Sequence, residues 1–188
     1  MKHFFSFAAL LLLAAASCRS NKSFLERSNP DKSLQEAIKK LEKNPGNDDA
    51  LSAIPILYKE ILASHLANIN AARAGAGKNF SQWDNIIGEY EQLQKAYNRI
   101  INSTAAFTLV NPQNFSAELF EAKDSASLHY YNAAITLLEN KNRAELKKAY
   151  NYFEKADKIT PRYKKKKKKM KEAFENATVI AVINPIRD

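Results

Sequence analysis

Ala149-Tyr150-Asn151-Tyr152-Phe153-Glu154-Lys155-Ala156-Asp157-Lys158-Ile159-Thr160-Pro161 is the stretch whose reading decides the fold. Ala149, Phe153, Ala156 and Ile159 fall on one face of a helix over about 144–158, and Pro161, which has no N–H and cannot continue the ladder, closes it. Small residues at 149 and 156 let another helix cross closely, with the Phe153 ring as a plug between them. Such a face is made to be covered by neighbouring helices.

Outward from this segment the same periodicity recurs. On the N-terminal side, Leu119, Ala122, Ala126, Tyr130, Ala133, Leu137 and Leu138 mark a helix over about 116–139, with residues 140–142 as the turn. On the C-terminal side a helix is predicted over about 163–176, with Tyr163, Met170, Ala173, Phe174 and Ala177 facing inward. Earlier in the chain, Leu34, Ala37, Ile38 and Leu41 predict a short helix ending before Asn44-Pro45-Gly46. Asn47 can cap the next helix, and Asp48 and Asp49 lie in its first turn, where the macrodipole favours negative charge. That helix carries Leu51, Ile54, Tyr58, Ile61, Leu62, Leu66 and Ile69, contains Pro55, which should bend it, and stops at Gly75 and Gly77. Ser81-Gln82-Trp83-Asp84 is similar to a capping box and opens a helix through Ile86, Ile87, Tyr90, Leu93, Tyr97, Ile100 and Ile101. The last segment changes character: Thr178 to Ile183 is β-branched and predicts a short strand.

Composition agrees with an all-α chain. Of 188 residues 45% are hydrophobic, and only 4 are Gly and 6 Pro, too few for a barrel or sandwich of many turns. The net charge of +9 would suggest nucleic acid, but eight of the cations lie between Arg162 and Lys171. Apart from these and Lys2, twenty basic residues balance twenty acidic ones, so the charge is one patch on a neutral protein.

Three segments together resemble tetratricopeptide repeats. Ala149, Phe153, Ala156 and Pro161 have the spacing of that repeat's second helix and closing proline; Tyr131, Ala134 and Leu138 fit its first helix if the turn is two residues longer than standard. Met170 and Phe174 fall at the first-helix positions of a following repeat, and Leu51, Ile54 and Tyr58 at those of an earlier one, with Pro55 where the family has a small glycine. One repeat over about 128–161 is recognisable, with a half repeat on each side and a divergent centre. The resemblance implies antiparallel helix hairpins stacked as a solenoid with a groove for a protein partner; an unrelated antiparallel bundle is the other reading of the same periodicity.

The first residues give an address. Lys2 and His3 precede an apolar run, Phe4 to Ala16, of the length of a secretory h-region. It ends in Ala15-Ala16-Ser17-Cys18, which resembles the lipobox of bacterial, Bacteroidota-like lipoproteins, with Leu13 two places earlier than the usual leucine. The resemblance implies cleavage before Cys18 and acylation of this single cysteine; several acyl chains hold a protein stably on a bilayer. Arg19-Ser20-Asn21-Lys22 contains neither the aspartate of inner-membrane retention nor an acidic surface-export run, which implies the periplasmic face of the outer membrane. The expected organisation is a signal peptide over 1–17, a tether over 18–30, a helical domain over 31–177 and a C-terminal strand and tail over 178–188.

Catalytic chemistry is not prominent. Ala74-Gly75-Ala76-Gly77-Lys78-Asn79 has Ala72 and Asn79 where a phosphate loop needs Gly and Ser or Thr, and reads as a helix stop. His65 and His129 are isolated, Glu89, Glu91, Glu118 and Glu121 read as solvated helix faces, and no metal or cofactor is expected. The tyrosines at 90, 97, 130, 131, 150, 152 and 163 suit either a core or a peptide groove. The sequence therefore predicts a non-enzymatic scaffold for envelope protein partners. A second reading gives the patch Arg162, Lys164, Lys165, Lys166, Lys167, Lys168, Lys169 and Lys171 to anionic lipid or glycan, with Lys166 and Lys167 snorkelling on their stems; nucleic acid is disfavoured by the exported address. A third makes the chain the helical part of a truncated larger enzyme.

Overall fold

A computed structural model describes residues 23–76, 79–139, 142–161 and 166–178, with seven α-helices and no strand among them. The signal segment, Cys18 and residues 179–188 lie outside the described residues, so the expected strand is represented only by Thr178. Thr178 continues the last helix: its N–H and Oγ1 both donate to the Phe174 carbonyl oxygen, at 3.1 and 2.7 Å. Contacts divide the chain into two units, Met1–Ile61 with Asn98–Pro112 and Leu62–Tyr97 with Gln113–Asp188.

The first unit holds a 3-10 turn, Phe24–Glu26, and α1, Pro30–Lys43, with the beginning of α2, Asp48–Gly75, the end of α3, Ser81–Ile101, and the single turn α4, Thr104–Phe107. Helix α1 starts where Asn29 Oδ1 accepts from Lys32 N and Pro30 supplies its fixed φ. Leu34, Ala37, Ile38 and Leu41 are all buried, as their spacing predicts. The Asn47 side chain accepts from Ala50 N and so caps α2. Within the segment expected as a tether, 18–30, residues 23–29 are folded. Ser23 and Glu26 form a reciprocal capping box, Phe24 is buried, and Arg27 pairs with Glu36 of α1. One apolar side chain and one ion pair suffice to fold 23–29 onto α1.

The second unit contains the rest of α2 and α3, then α5, Ser116–Glu139, α6, Arg143–Ile159, and α7, Lys166–Ala177. Gly75 is the last residue of α2, as expected of a helix stop. The start of α3 departs from the sequence reading: Ser81 is already helical, and the capping acceptor is Asn79 Oδ1, which takes hydrogen bonds from Ser81 N and Oγ at 3.1 and 2.8 Å. The Asn79 side chain thus closes an Asx turn onto the amide two residues on, the first of the helix. Helix α6 packs against α5 and α7 against α6. Their core is Ala134, Ala149, Phe153 and Ala173, each fully buried. Alanine at these crossings removes the bulk that would hold the backbones apart, and the Phe153 ring fills the space, edge-on to Tyr131 at 5.5 Å.

Candidate functional site

The face of α6 and α7 directed away from this core is open. Asn142 caps α6 through its side chain, which accepts from Ala144 N at 2.9 Å, and so fixes where the helix begins. From that start Arg143, Lys147 and Tyr150 stand one above another at i, i+4 and i+7. On α7, Phe174 and Ala177 face them, and Arg143 Nε donates to the Ala177 carbonyl oxygen at 3.1 Å, tying the end of α7 to the start of α6. Between the helices lies a groove of about 790 Å3 with a floor of Ala144, Tyr150, Phe174 and Ala177 and a bank of Arg143 and Lys147. Among the described residues the lining includes two cations and no carboxylate. Met170, Lys171 and Phe174 extend the apolar surface along α7.

Phe174 decides what this groove is. It is 54% exposed, its ring resting on Tyr150 with centroids 5.6 Å apart. The other positions singled out by the repeat spacing divide in an orderly way. Ile54, Tyr58, Ala134, Ala149, Phe153 and Ala156 are buried. Leu51, Tyr131, Leu138 and Met170 are half-buried, the last three against the α5–α6–α7 core. Pro161 is exposed in the turn that ends α6. Phe174 alone among the large apolar members turns most of its ring outward.

The lysine patch is described only in part. Arg162, Lys164 and Lys165 and the side chains of Lys166 and Lys167, with their expected snorkelling, lie outside the described residues. Lys168 is exposed, Lys169 pairs with Glu172 at 3.0 Å, and Lys171 with Glu175 at 3.5 Å. Each pair lies within a single helix turn and partly neutralises the patch at its C-terminal end.

The structure also assembles polar and aromatic groups that the sequence left scattered. His65 Nδ1 pairs with Glu89, and Asn68 donates to the same carboxylate at 3.2 Å, so Glu89 is a half-buried link between α2 and α3 in the second unit. Glu91 likewise pairs with Lys123 at 2.8 Å. These two carboxylates are bridging groups rather than members of a solvated face. Phe80, Tyr130 and Tyr152 meet edge to face at 5.5 to 5.8 Å, and His129 lies 5.2 Å from Trp83. Burial, reinforced by Asp84 and Tyr152, pushes the Tyr130 phenol up to about 12. Only the period of the tyrosines was visible in the sequence; the meeting of Tyr130 and Tyr152 with Phe80 joins residues 50 and 72 positions apart. No group of three or more metal-ligating side chains occurs among the described residues. No helix among them is long and apolar enough to cross a membrane.

No family of known proteins matches the chain, and neither a curated protein nor a solved structure is significantly similar to it.

Proposed function

We propose that this chain is a membrane-anchored, tetratricopeptide-like scaffold that binds a protein partner in the bacterial cell envelope. The observation that carries the binding half is the open α6–α7 groove with Phe174 54% exposed on its floor. Phe107 and Phe120 are exposed by 54% and 69%, and Phe174 is the one of the three that lines this groove; stacked helix hairpins use such grooves for partners. The buried alanines at 134, 149 and 156 and the Phe153 plug support the repeat-like reading, because they stand at the close crossings that a tetratricopeptide hairpin needs. The anchor half rests on Ala15-Ala16-Ser17-Cys18 after an apolar run of secretory length, and the sequence after Cys18 favours the periplasmic face of the outer membrane.

Affinity capture of the native protein from detergent-solubilised envelopes tests both halves. The expected result is one protein recovered in constant ratio with the acylated chain and lost when Phe174 is replaced by Glu. Capture of nothing specific would contradict the scaffold reading, and recovery of a chain without acyl groups would contradict the anchor.

A further inference from the structure

The groove also constrains the chemistry of what fills it. Resting on the scaffold reading above, we infer that the α6–α7 groove receives an acidic amphipathic helix of a partner protein, its apolar stripe on Tyr150 and Phe174 and its carboxylates on Arg143 and Lys147.

Three observations lead there. The first is charge. Among the described residues lining the groove and its extension, Arg143, Lys147 and Lys171 are cationic and none is acidic. Glu175 partly satisfies Lys171, whereas Lys147 stands on the exposed bank of α6. A cationic rim around an apolar floor favours an anionic rim around an apolar stripe and disfavours a basic one.

The second is shape. On α7 the groove and its extension are lined by residues between Met170 and Thr178, about 12 Å of helix, and on α6 by residues between Asn142 and Asn151, about 14 Å. Arg143, Lys147 and Tyr150 on α6 stand at i, i+4 and i+7 and Phe174 and Ala177 on α7 at i and i+3, which presents a ridge on each helix for the side chains of a third. Helix-in-groove recognition reads anchors at i, i+4 and i+7, a pattern that about three turns supply.

The third is position in the stack. Helix α6 packs against α5 and α7 against α6, and Phe174 of α7, although its ring meets Tyr150 of α6, remains 54% exposed. Among the described helices none follows α7 to cover that ring. The chain's own residues 179–188 carry a single acidic side chain, Asp188, next to Arg187, and have Pro185 among them. Such a segment matches the floor better than the banks, and the charge complementarity favours a partner helix that carries several carboxylates.

The test is fluorescence anisotropy with a labelled amphipathic peptide of about four helical turns, leucines at i, i+4 and i+7 and glutamates on both flanks, titrated with the purified protein. Saturable binding is expected, weakened about tenfold when glutamine replaces glutamate in the peptide and about tenfold by Phe174→Ala in the protein. Lys147→Glu should reverse the preference toward a lysine-flanked peptide, and added salt should weaken the glutamate peptide alone. Phe174 is exposed enough for its truncation to leave the fold intact, which circular dichroism of each variant checks. Equal binding of the glutamate and glutamine peptides, or binding indifferent to Phe174, overturns the inference. So does binding that appears only after residues 179–188 are removed, because the groove then belongs to the chain's own tail. An envelope partner captured equally well by the Phe174→Ala protein would leave the scaffold reading standing while this inference fails.

Discussion

The Tyr130 hydroxyl, on α5, donates to the carbonyl oxygen of Phe80, fifty residues earlier in the turn that opens α3, at 3.2 Å. The same phenol is raised to about 12, by burial first and then by Asp84 and Tyr152. In an unfolded chain it would ionise near 10. Between roughly pH 10 and 12 the unfolded state therefore gives up a proton that the folded state keeps, and stability falls as pH rises through that window. Below about pH 10 the contribution is complete. Tyr130→Phe should cost about 1 kcal/mol at neutral pH through the lost hydrogen bond. It should also flatten the alkaline fall in the urea midpoint, and an unchanged alkaline slope would show that Tyr130 is not its source.

The α5–α6–α7 core makes a prediction about size. Phe153 is fully buried against Tyr131, and Phe153→Ala should destabilise the protein by about 3–5 kcal/mol, through lost burial and the cavity left behind. Ala149→Leu acts in the opposite sense, forcing bulk into a close crossing, and should cost about 1–3 kcal/mol. Chemical denaturation measures both. A neutral Ala149→Leu would show that α6 has room which its complete burial denies.

At the other end of the chain, Phe24 and the Arg27–Glu36 pair hold a turn that the sequence reads as tether. Phe24→Ala should lower stability by about 3 kcal/mol, the low end for a buried ring, since the chain terminus can relax. Hydrogen exchange should quicken in α1, which the turn covers. Replacing Arg27 with Gln should matter far less, because the pair is partly exposed and such pairs contribute about 0–1 kcal/mol.

The anchor has its own consequence. The native protein should carry acyl mass on Cys18 and partition entirely with membranes, and Cys18→Ser should release it to the soluble fraction. A serine variant that remained membrane-bound at unchanged mass would remove the lipid from the account.

How much of this was legible in the sequence follows from how local each feature is. The helices were legible because a buried stripe such as Leu34, Ala37, Ile38 and Leu41 repeats within one helix turn, and Asn47, Gly75 and Pro161 punctuate the chain by their own stereochemistry. The small-residue crossings at Ala149 and Ala156 were legible for the same reason. The folded turn at 23–29 was not, since one aromatic side chain gives no period. Nor were the His65–Glu89 link and the Phe80–Tyr130–Tyr152 cluster, whose members are joined only by helix pairing. Phe174 shows the limit most clearly. Its spacing places it on the inward stripe of α7, but a stripe is inward only when another element covers it, and none of the described helices covers this one completely.

Photocrosslinking in the living cell tests the central claim most directly. With a photoreactive phenylalanine analogue at position 174 of the native, anchored chain, the account predicts one light-dependent adduct with a distinct envelope protein, absent when the analogue is placed at exposed Ala63 on α2. No adduct at 174, or the same adducts at both positions, would contradict it.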